Sequence, residues 1–164
     1  MAKKQLIGTQ ILSLLEGTWT GEGRGEFPGV TSFDYRETLI FTRRAGNRLD
    51  YEQTAQKRYD NQTEYIPSHG ETGSIRLLET NELELVNTQS GGRSEELVGT
   101  METNDDLIRI HFKSKAITND PRMISSTRTI ELEGDTLRYE MGMQTVKVDQ
   151  LTLHLKITLQ RSNR

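Results

Sequence analysis

Cysteine is absent from this 164-residue chain, and apolar residues make up only 32% of it. The absence of cysteine excludes disulfides, thiolate nucleophiles and cysteine-ligated metals. The mean hydropathy of −0.69 predicts a narrow core or a partly polar interior. These features favour a barrel or a sandwich over a thick layered fold, and the length predicts one domain spanning residues 1–164.

Basic stripes and long apolar runs are also missing. The formal net charge is −3, so electrostatic binding to nucleic acid is not expected. The apolar run at residues 11–15 is too short to span a bilayer, which predicts no membrane partner. Lys3 and Lys4 precede this run, but no small-residue cleavage site follows it, so a secretory signal is not predicted. We therefore expect a cytoplasmic protein.

The apolar pattern predicts one helix followed by many strands. Residues 5–15 have helical spacing and are expected to form a short plug or lid. After Gly17 the period becomes two and predicts ten strands: 17–26, 33–42, 47–57, 71–78, 82–88, 94–102, 105–113, 125–133, 136–144 and 149–160. Gly134 and Asp135 predict a tight hairpin between the eighth and ninth strands. An antiparallel barrel of eight to ten strands would remove the exposed edges and could hold one small ligand.

The first predicted strand carries an unusual face. Glycine occupies every second position from Gly17 to Gly25, except for Trp19, the one tryptophan in the chain. Alternate residues of a strand share a face, so this face is nearly bare. Such a face suits a sharp bend of a barrel or the wall of a cavity.

Histidine is the other residue type with candidate chemistry. Strict alternation groups His154 with Thr152 and Lys156, which predicts a solvent-facing side chain unless the polar face lines a cavity or a bulge redirects it. His69 precedes Glu71 by two residues, which allows a histidine–carboxylate pair. His111 gives no functional signal. The charged residues Arg76, Arg128 and Glu37 lie within strand patterns, and outward positions are the default expectation for them.

Several blocks, in order along nearly the whole chain, resemble the nitrobindin family. The first is Gly17-x-Trp19-x-Gly21-x-Gly23, which matches the family's Gly-x-Trp-x-Gly-x-Gly hallmark without a gap. The second is His69-x-Glu71-x-Gly73, which is similar to the family's His-x-Glu-x-Gly segment. Further similar positions are Phe27, Pro28, Phe33, Tyr35, Glu37, Gln89, Arg128, Tyr139 and His154.

This resemblance implies an all-β fold: a ten-stranded antiparallel up-and-down barrel like that of fatty-acid-binding proteins, with a short N-terminal helix. It also implies one ferric haem b per chain at an open end, with His154 as the iron ligand. His69 matches a histidine on the other side of the haem, and Gln89 and Met143 resemble pocket-lining positions. The implied activities are nitric oxide binding and isomerisation of peroxynitrite to nitrate.

The resemblance has one departure and leaves one alternative open. Gly29 stands where the family usually has a threonine that contacts haem. The alternative is a carrier without catalytic activity that holds a fatty acid or another small apolar ligand in the same barrel. Whether the chain is an enzyme is left open, and the family resemblance also suggests a homodimer.

Overall fold

A closed antiparallel barrel forms most of the computed structural model, which describes residues 7–163. The elements are α1 (Gly8–Leu15), β1 (Gly17–Phe27), β2 (Val30–Arg44), β3 (Arg48–Arg58), β4 (Ile66–Leu77), β5 (Leu83–Gln89), β6 (Ser94–Asn104), β7 (Leu107–Thr118), β8 (Met123–Glu133), β9 (Thr136–Thr145) and β10 (Thr152–Asn163). Each strand pairs with its neighbours in sequence, and β1 pairs with β10 to close the barrel.

All ten predicted strands are present, so the predicted barrel is confirmed. The tight turn at Gly134 and Asp135 joins β8 to β9 as expected, with Glu133 opposite Thr136. The predicted helix begins three residues later than expected, at Gly8, and residues 5 and 6 lie outside the described part. Within that part, no helix has the length and apolar character of a bilayer span.

One end of the barrel is closed by α1 and Trp19. Ile11, Leu12 and Leu15 of α1 are buried, and the indole Nε1 of Trp19 donates a hydrogen bond to the Leu15 carbonyl at 2.9 Å. The Arg161 guanidinium lies 4.1 Å from the centre of the Trp19 ring and donates to the Leu14 carbonyl. The helix therefore plugs the end where β1 begins, and the opposite end is left for a ligand.

The glycine face of β1 points into the barrel. Gly21 lies opposite Glu37 and Leu159, and Gly23 lies opposite Tyr35 and Ile157, all of which are buried. A Cβ added at Gly21 would collide with the carbonyl oxygen of Thr158 on β10. The bare face is thus required for close approach of two strands and does not leave open space, as expected for a sharp bend.

Register shifts are concentrated at the open end of the barrel. The pairing slips once at that end between β1 and β2, β3 and β4, β6 and β7, β8 and β9, and β9 and β10. Only the shift at Thr18 and Trp19 lies at the closed end among the described strands. A bulge adds one residue to one strand and redirects its side chains.

Replacing Gly21 with alanine tests the close approach of β1 and β10. We expect Gly21→Ala to lower the free energy of unfolding by about 1–3 kcal/mol, because the added methyl overlaps main-chain atoms that cannot move aside easily. Gly91→Ala is the matched control, since a Cβ there has no neighbour within 4 Å. Urea denaturation measures both variants, and equal stabilities would contradict the close approach of β1 to β10 at Gly21.

Candidate functional site

The open end of the barrel contains a pocket of about 310 Å³. Four of the residues singled out by sequence line it: His154, His69, Gln89 and Met143. The volume lies at the lower end of the range of about 300–1,000 Å³ for small-molecule sites. The structure therefore brings most of the predicted site residues to one cavity.

A larger depression of about 830 Å³ lies on the outer face of β1 to β4. Outward-facing side chains such as Arg36, Thr38 and Thr54 form much of its lining. It shares His69 and Glu37 with the inner pocket but lacks His154. The inner pocket is the better candidate because it gathers the titratable side chains.

His154 reaches the pocket through a bulge in β10. Leu153 pairs with Gly142 and Leu155 pairs with Met141, so His154 is an extra residue without a partner on β9. Met141 faces inward, which makes Leu155 inward as well, and His154 lines the same pocket. The solvent-facing position favoured by strict alternation is therefore wrong, and the bulge is the physical reason.

The imidazole of His154 is held in one tautomer. Its Nδ1 lies 3.0 Å from the carbonyl oxygen of Glu26, and a carbonyl can only accept, so Nδ1 carries the proton and donates. Burial lowers the pKa of His154 below its ordinary value; the hydrogen bond to Glu26 raises it, and the charges of Arg93 and His69 lower it further. The ring is neutral at neutral pH, and Nε2 has an unshared lone pair.

Two aromatic rings orient this imidazole. Phe27 lies edge-on with a centroid separation of 5.4 Å, and Phe33 lies edge-on at 6.3 Å. A neutral histidine whose Nδ1–H donates to a carbonyl is the usual arrangement of a metal-ligating imidazole. The residues present at His154 therefore fit an iron ligand.

His69 lies across the pocket from β10, at the start of β4. It pairs with Ala55 next to a register shift, and its Nε2 is 3.4 Å from Oε2 of Glu71. The predicted histidine–carboxylate pair is therefore present. The side chain remains about one third exposed, at 35%, so it can contact both solvent and a ligand.

A buried ion network forms the floor of the pocket. Arg128 is 3% exposed, and its Nη1 and Nη2 donate to the two oxygens of Glu71 at 2.5 and 3.1 Å. The same Nη2 donates to Glu95 at 2.7 Å, and the Tyr51 hydroxyl donates to Glu71. One guanidinium on β8 thereby joins carboxylates from β4 and β6.

Neutral polar side chains complete this network around Glu95. Ser126 Oγ donates to Glu95 at 2.9 Å, and Gln89 Nε2 donates at 3.2 Å. Gln89 also lines the pocket, so it connects the cavity to the buried charges. Burial by itself would raise the pKa of Glu71, but Arg128 and the hydrogen bonds from His69 and Tyr51 outweigh it and lower that pKa to about 2.

Glu37 is buried in the same region without a guanidinium bound to it. It is 4% exposed and lines the pocket, and its Oε1 has no hydrogen-bond partner among the described residues. Burial raises the pKa of Glu37 to about 7; nearby Glu71 raises it, while a hydrogen bond from Gln53 and the charges of His69 and Arg128 lower it. Glu37 is thus a carboxyl that titrates near neutral pH.

The outward default assigned to strand charges is wrong for Glu37 and Arg128. Glu37 lies in phase with buried Tyr35 and Leu39, and Arg128 lies in phase with buried Ile130. The alternation alone would have placed both side chains inside. Arg76 does face outward, where its Nε donates to Glu84 at 2.7 Å.

Gly29 lies outside the set of residues that line the pocket. It is exposed in the two-residue turn between β1 and β2, with a φ of +79° and no atom within 4 Å of an added Cβ. Pro28 followed by a glycine of positive φ is typical of a type II turn. A threonine would be strained at this φ, which gives a local reason for glycine at this position.

Known proteins resemble this chain over nearly its whole length. The family model described as THAP4-like, heme-binding beta-barrel domain matches residues 9–161. A peroxynitrite isomerase of Nocardia farcinica is 31% identical over 153 residues, which cover 92% of this chain and 88% of that protein. Peroxynitrite isomerase 2 of Mycobacterium ulcerans is 31% identical over 155 residues, covering 93% of each chain.

A solved structure has the same fold. The crystal structure of Rv2717c from M. tuberculosis superposes with a TM-score of 0.84 at 30% sequence identity. The match covers 97% of this chain and 99% of that one. The likeness therefore extends over the full barrel.

Removing the buried guanidinium tests the pocket floor. We expect Arg128→Met to lower the free energy of unfolding by about 3–5 kcal/mol, because Glu71 would lose its guanidinium and Glu95 would keep only that of Arg93, 3.7 Å away. Arg109→Met removes an exposed ion pair with Glu131 and should change it by less than about 1 kcal/mol. Chemical denaturation compares the two, and a small loss for Arg128→Met would contradict a structural role for the network.

Glu37 makes stability depend on pH. Its pKa is about 7 when folded, against about 4.3 for an unfolded glutamate. The protonated carboxyl contributes its full stabilisation below the pKa of the unfolded state. This stabilisation is lost as the pH rises through the folded-state pKa of about 7. We therefore expect Glu37→Gln to raise the free energy of unfolding by up to about 3 kcal/mol at about pH 8, and to change it little at about pH 4.

Urea denaturation at both pH values measures this difference. Glu52→Gln, on the exposed face of β3, controls for the loss of a negative charge and should show no pH-dependent gain. A Glu37→Gln variant with the same stability difference at both pH values would contradict the raised pKa.

Proposed function

Because the chain belongs to the THAP4-like haem-binding β-barrel family, we propose that its pocket binds one ferric haem b with His154 as the iron ligand. We further propose that the haem-loaded protein isomerises peroxynitrite to nitrate. Relatives that carry the name peroxynitrite isomerase and share about the full length of the chain support this activity.

The observation that carries the proposal is the arrangement of His154. The bulge brings the side chain into the pocket, and the hydrogen bond to Glu26 fixes the proton on Nδ1. Burial keeps the ring neutral, so Nε2 is available to a metal. A neutral imidazole is a standard axial ligand of haem iron.

Haem, when bound, supplies the bond chemistry of the isomerisation, and the protein supplies orientation and access. Peroxynitrite and nitrate have the same atoms and the same charge, so the net reaction consumes neither a proton nor an electron. Phe27 and Phe33 hold the His154 ring in place. His69 is about one third exposed and lines the pocket opposite β10, where we propose that it contacts the incoming ligand together with Gln89.

Met143 contributes apolar lining next to these polar groups. We propose that it packs against the cofactor. The contact of Gly29 with haem, inferred from its position in the family pattern, stays a prediction. Nitric oxide binding, the cytoplasmic location and the homodimer also stay predictions.

The carrier alternative is less well supported. Below the pocket, the space between Glu37, Tyr51, Arg128 and the apolar core is only about 20 Å³. A fatty acid would have to pass the buried ion network and displace packed side chains to enter the barrel interior. Buried charges that lose their partners cost several kcal/mol, so a long alkyl chain does not suit this barrel.

Addition of hemin to the purified protein tests the iron ligand. We expect a Soret band characteristic of histidine-ligated ferric haem in the wild type, and a shifted and weaker band in His154→Ala. His111→Ala is the control, because His111 is exposed on β7 and bonded to Thr129, away from the pocket. The same Soret band in His154→Ala would sink the assignment.

The activity has its own measurement. Peroxynitrite decay and nitrate yield are followed with haem-loaded wild type, the two histidine variants and free hemin. If nitrate yield with the haem-loaded wild type does not exceed that with free hemin, the protein is not an isomerase.

A further inference from the structure

Two buried polar atoms of β2 face the pocket without a protein partner. They are the hydroxyl oxygen of Tyr35 and Oε1 of Glu37, and no described residue hydrogen bonds to either atom. The two residues are separated by one position, so their side chains share the inward face of the strand, and both line the pocket. Buried polar groups are rarely left unsatisfied, because each costs about 1–3 kcal/mol. These two groups are therefore available to hydrogen bond with a ligand in the pocket.

Burial and the nearby charge of Glu71 oppose the ionisation of Glu37, and the charges of His69 and Arg128 only partly offset them. Arg128 is already bound by Glu71 and Glu95, so its positive charge is shared between two carboxylates. Three further titratable side chains face Glu37: His69 from β4, Tyr35 from β2 and Tyr139 from β9. The Nη1 and Nη2 atoms of Arg128 donate to Glu71 and Glu95, so the guanidinium lowers the pKa of Glu37 only through space.

We propose that Glu37 in its acid form, together with the Tyr35 hydroxyl, donates hydrogen bonds to an anionic ligand in the pocket, so that anion binding is coupled to a proton held on Glu37. The inference rests on the proposed function, because it assigns the pocket groups that accept the anion. It adds a ligand-contacting pair to His69 and Gln89. Neither the carboxyl nor the hydroxyl is consumed, since both act as donors only.

Coupling of this kind has a definite direction. With the proton present, Glu37 can donate to an anion; without it, the carboxylate repels the anion at short range. Anion affinity should therefore be highest below the pKa of Glu37 and fall as pH rises above it, by up to about tenfold per pH unit. This decrease in affinity is caused by ionisation of Glu37, so it should be absent in Glu37→Gln, whose side chain is always neutral.

Azide is the probe, because it stays an anion near neutral pH and its complex with ferric haem is read from the Soret band. Azide is titrated into the haem-loaded wild type, Glu37→Gln and Glu52→Gln on both sides of pH 7. We expect wild type and Glu52→Gln to lose affinity with rising pH more steeply than Glu37→Gln, by up to about tenfold per unit. Ionisation of other haem-linked groups is common to all three and cancels in the comparison.

Tyr35→Phe is a second variant that keeps the ring and removes one donor. We expect it to weaken azide binding about equally at every pH and to leave the wild-type slope unchanged. Infrared difference spectra of the haem-free protein give a separate readout: the carbonyl band of a protonated carboxyl should titrate near pH 7 in wild type and be absent in Glu37→Gln.

The outcomes separate the two proposals. Equal slopes in wild type and Glu37→Gln overturn the coupling, as does the absence of a titrating carboxyl band in the wild type, while the haem assignment stands. If the wild type shows no Soret band before azide is added, the proposed function fails, and this inference falls with it.

Discussion

The ion pairs of Arg128 with two carboxylates organise the half of the barrel at its open end. A fully buried guanidinium holds Glu71 from β4 and Glu95 from β6, and each carboxylate recruits further donors. Such an arrangement is favourable only when nearly every lone pair and proton has a partner. Loss of Arg128 would therefore leave the Glu71 carboxylate buried without a guanidinium partner.

This network also divides the barrel into two parts with different tasks. Below it, the aliphatic core and α1 fill the interior, with Trp19 packed between the helix and Arg161. Above it, the walls carry histidines, aromatic rings and methionines around a small open cavity. The low apolar content of the sequence is explained by this division, because only one half of the interior is a conventional core.

The fold could be predicted from sequence because it depends on a period of two and on local turns. Glycine at alternate positions around Trp19 indicated the bend, and the turn residues at Gly134 and Asp135 indicated the hairpin. The position of His154 could not be predicted in this way. The bulge arises from the way β10 pairs with β9, and the sequence of one strand does not specify this register.

The buried charges show a different limit. Glu37 and Arg128 follow the inward phase of their strands, but the usual cost of burying a charge favours the opposite interpretation. The choice between them depends on partners from distant strands, such as Glu71 for Arg128. Family resemblance supplied the functional interpretation, since no single motif in the chain specifies a haem site by itself.

The clustering of register shifts at the open end has a consequence for comparisons among relatives. Strand pairing near α1 is almost regular, whereas the barrel accommodates an extra residue near the pocket at several places. At about 30% identity, an alignment can be correct through the core and displaced by one position at the ligand. Pocket residues of two relatives are therefore best matched by superposing their paired strands. A match based on the sequence alignment alone is least reliable at the pocket.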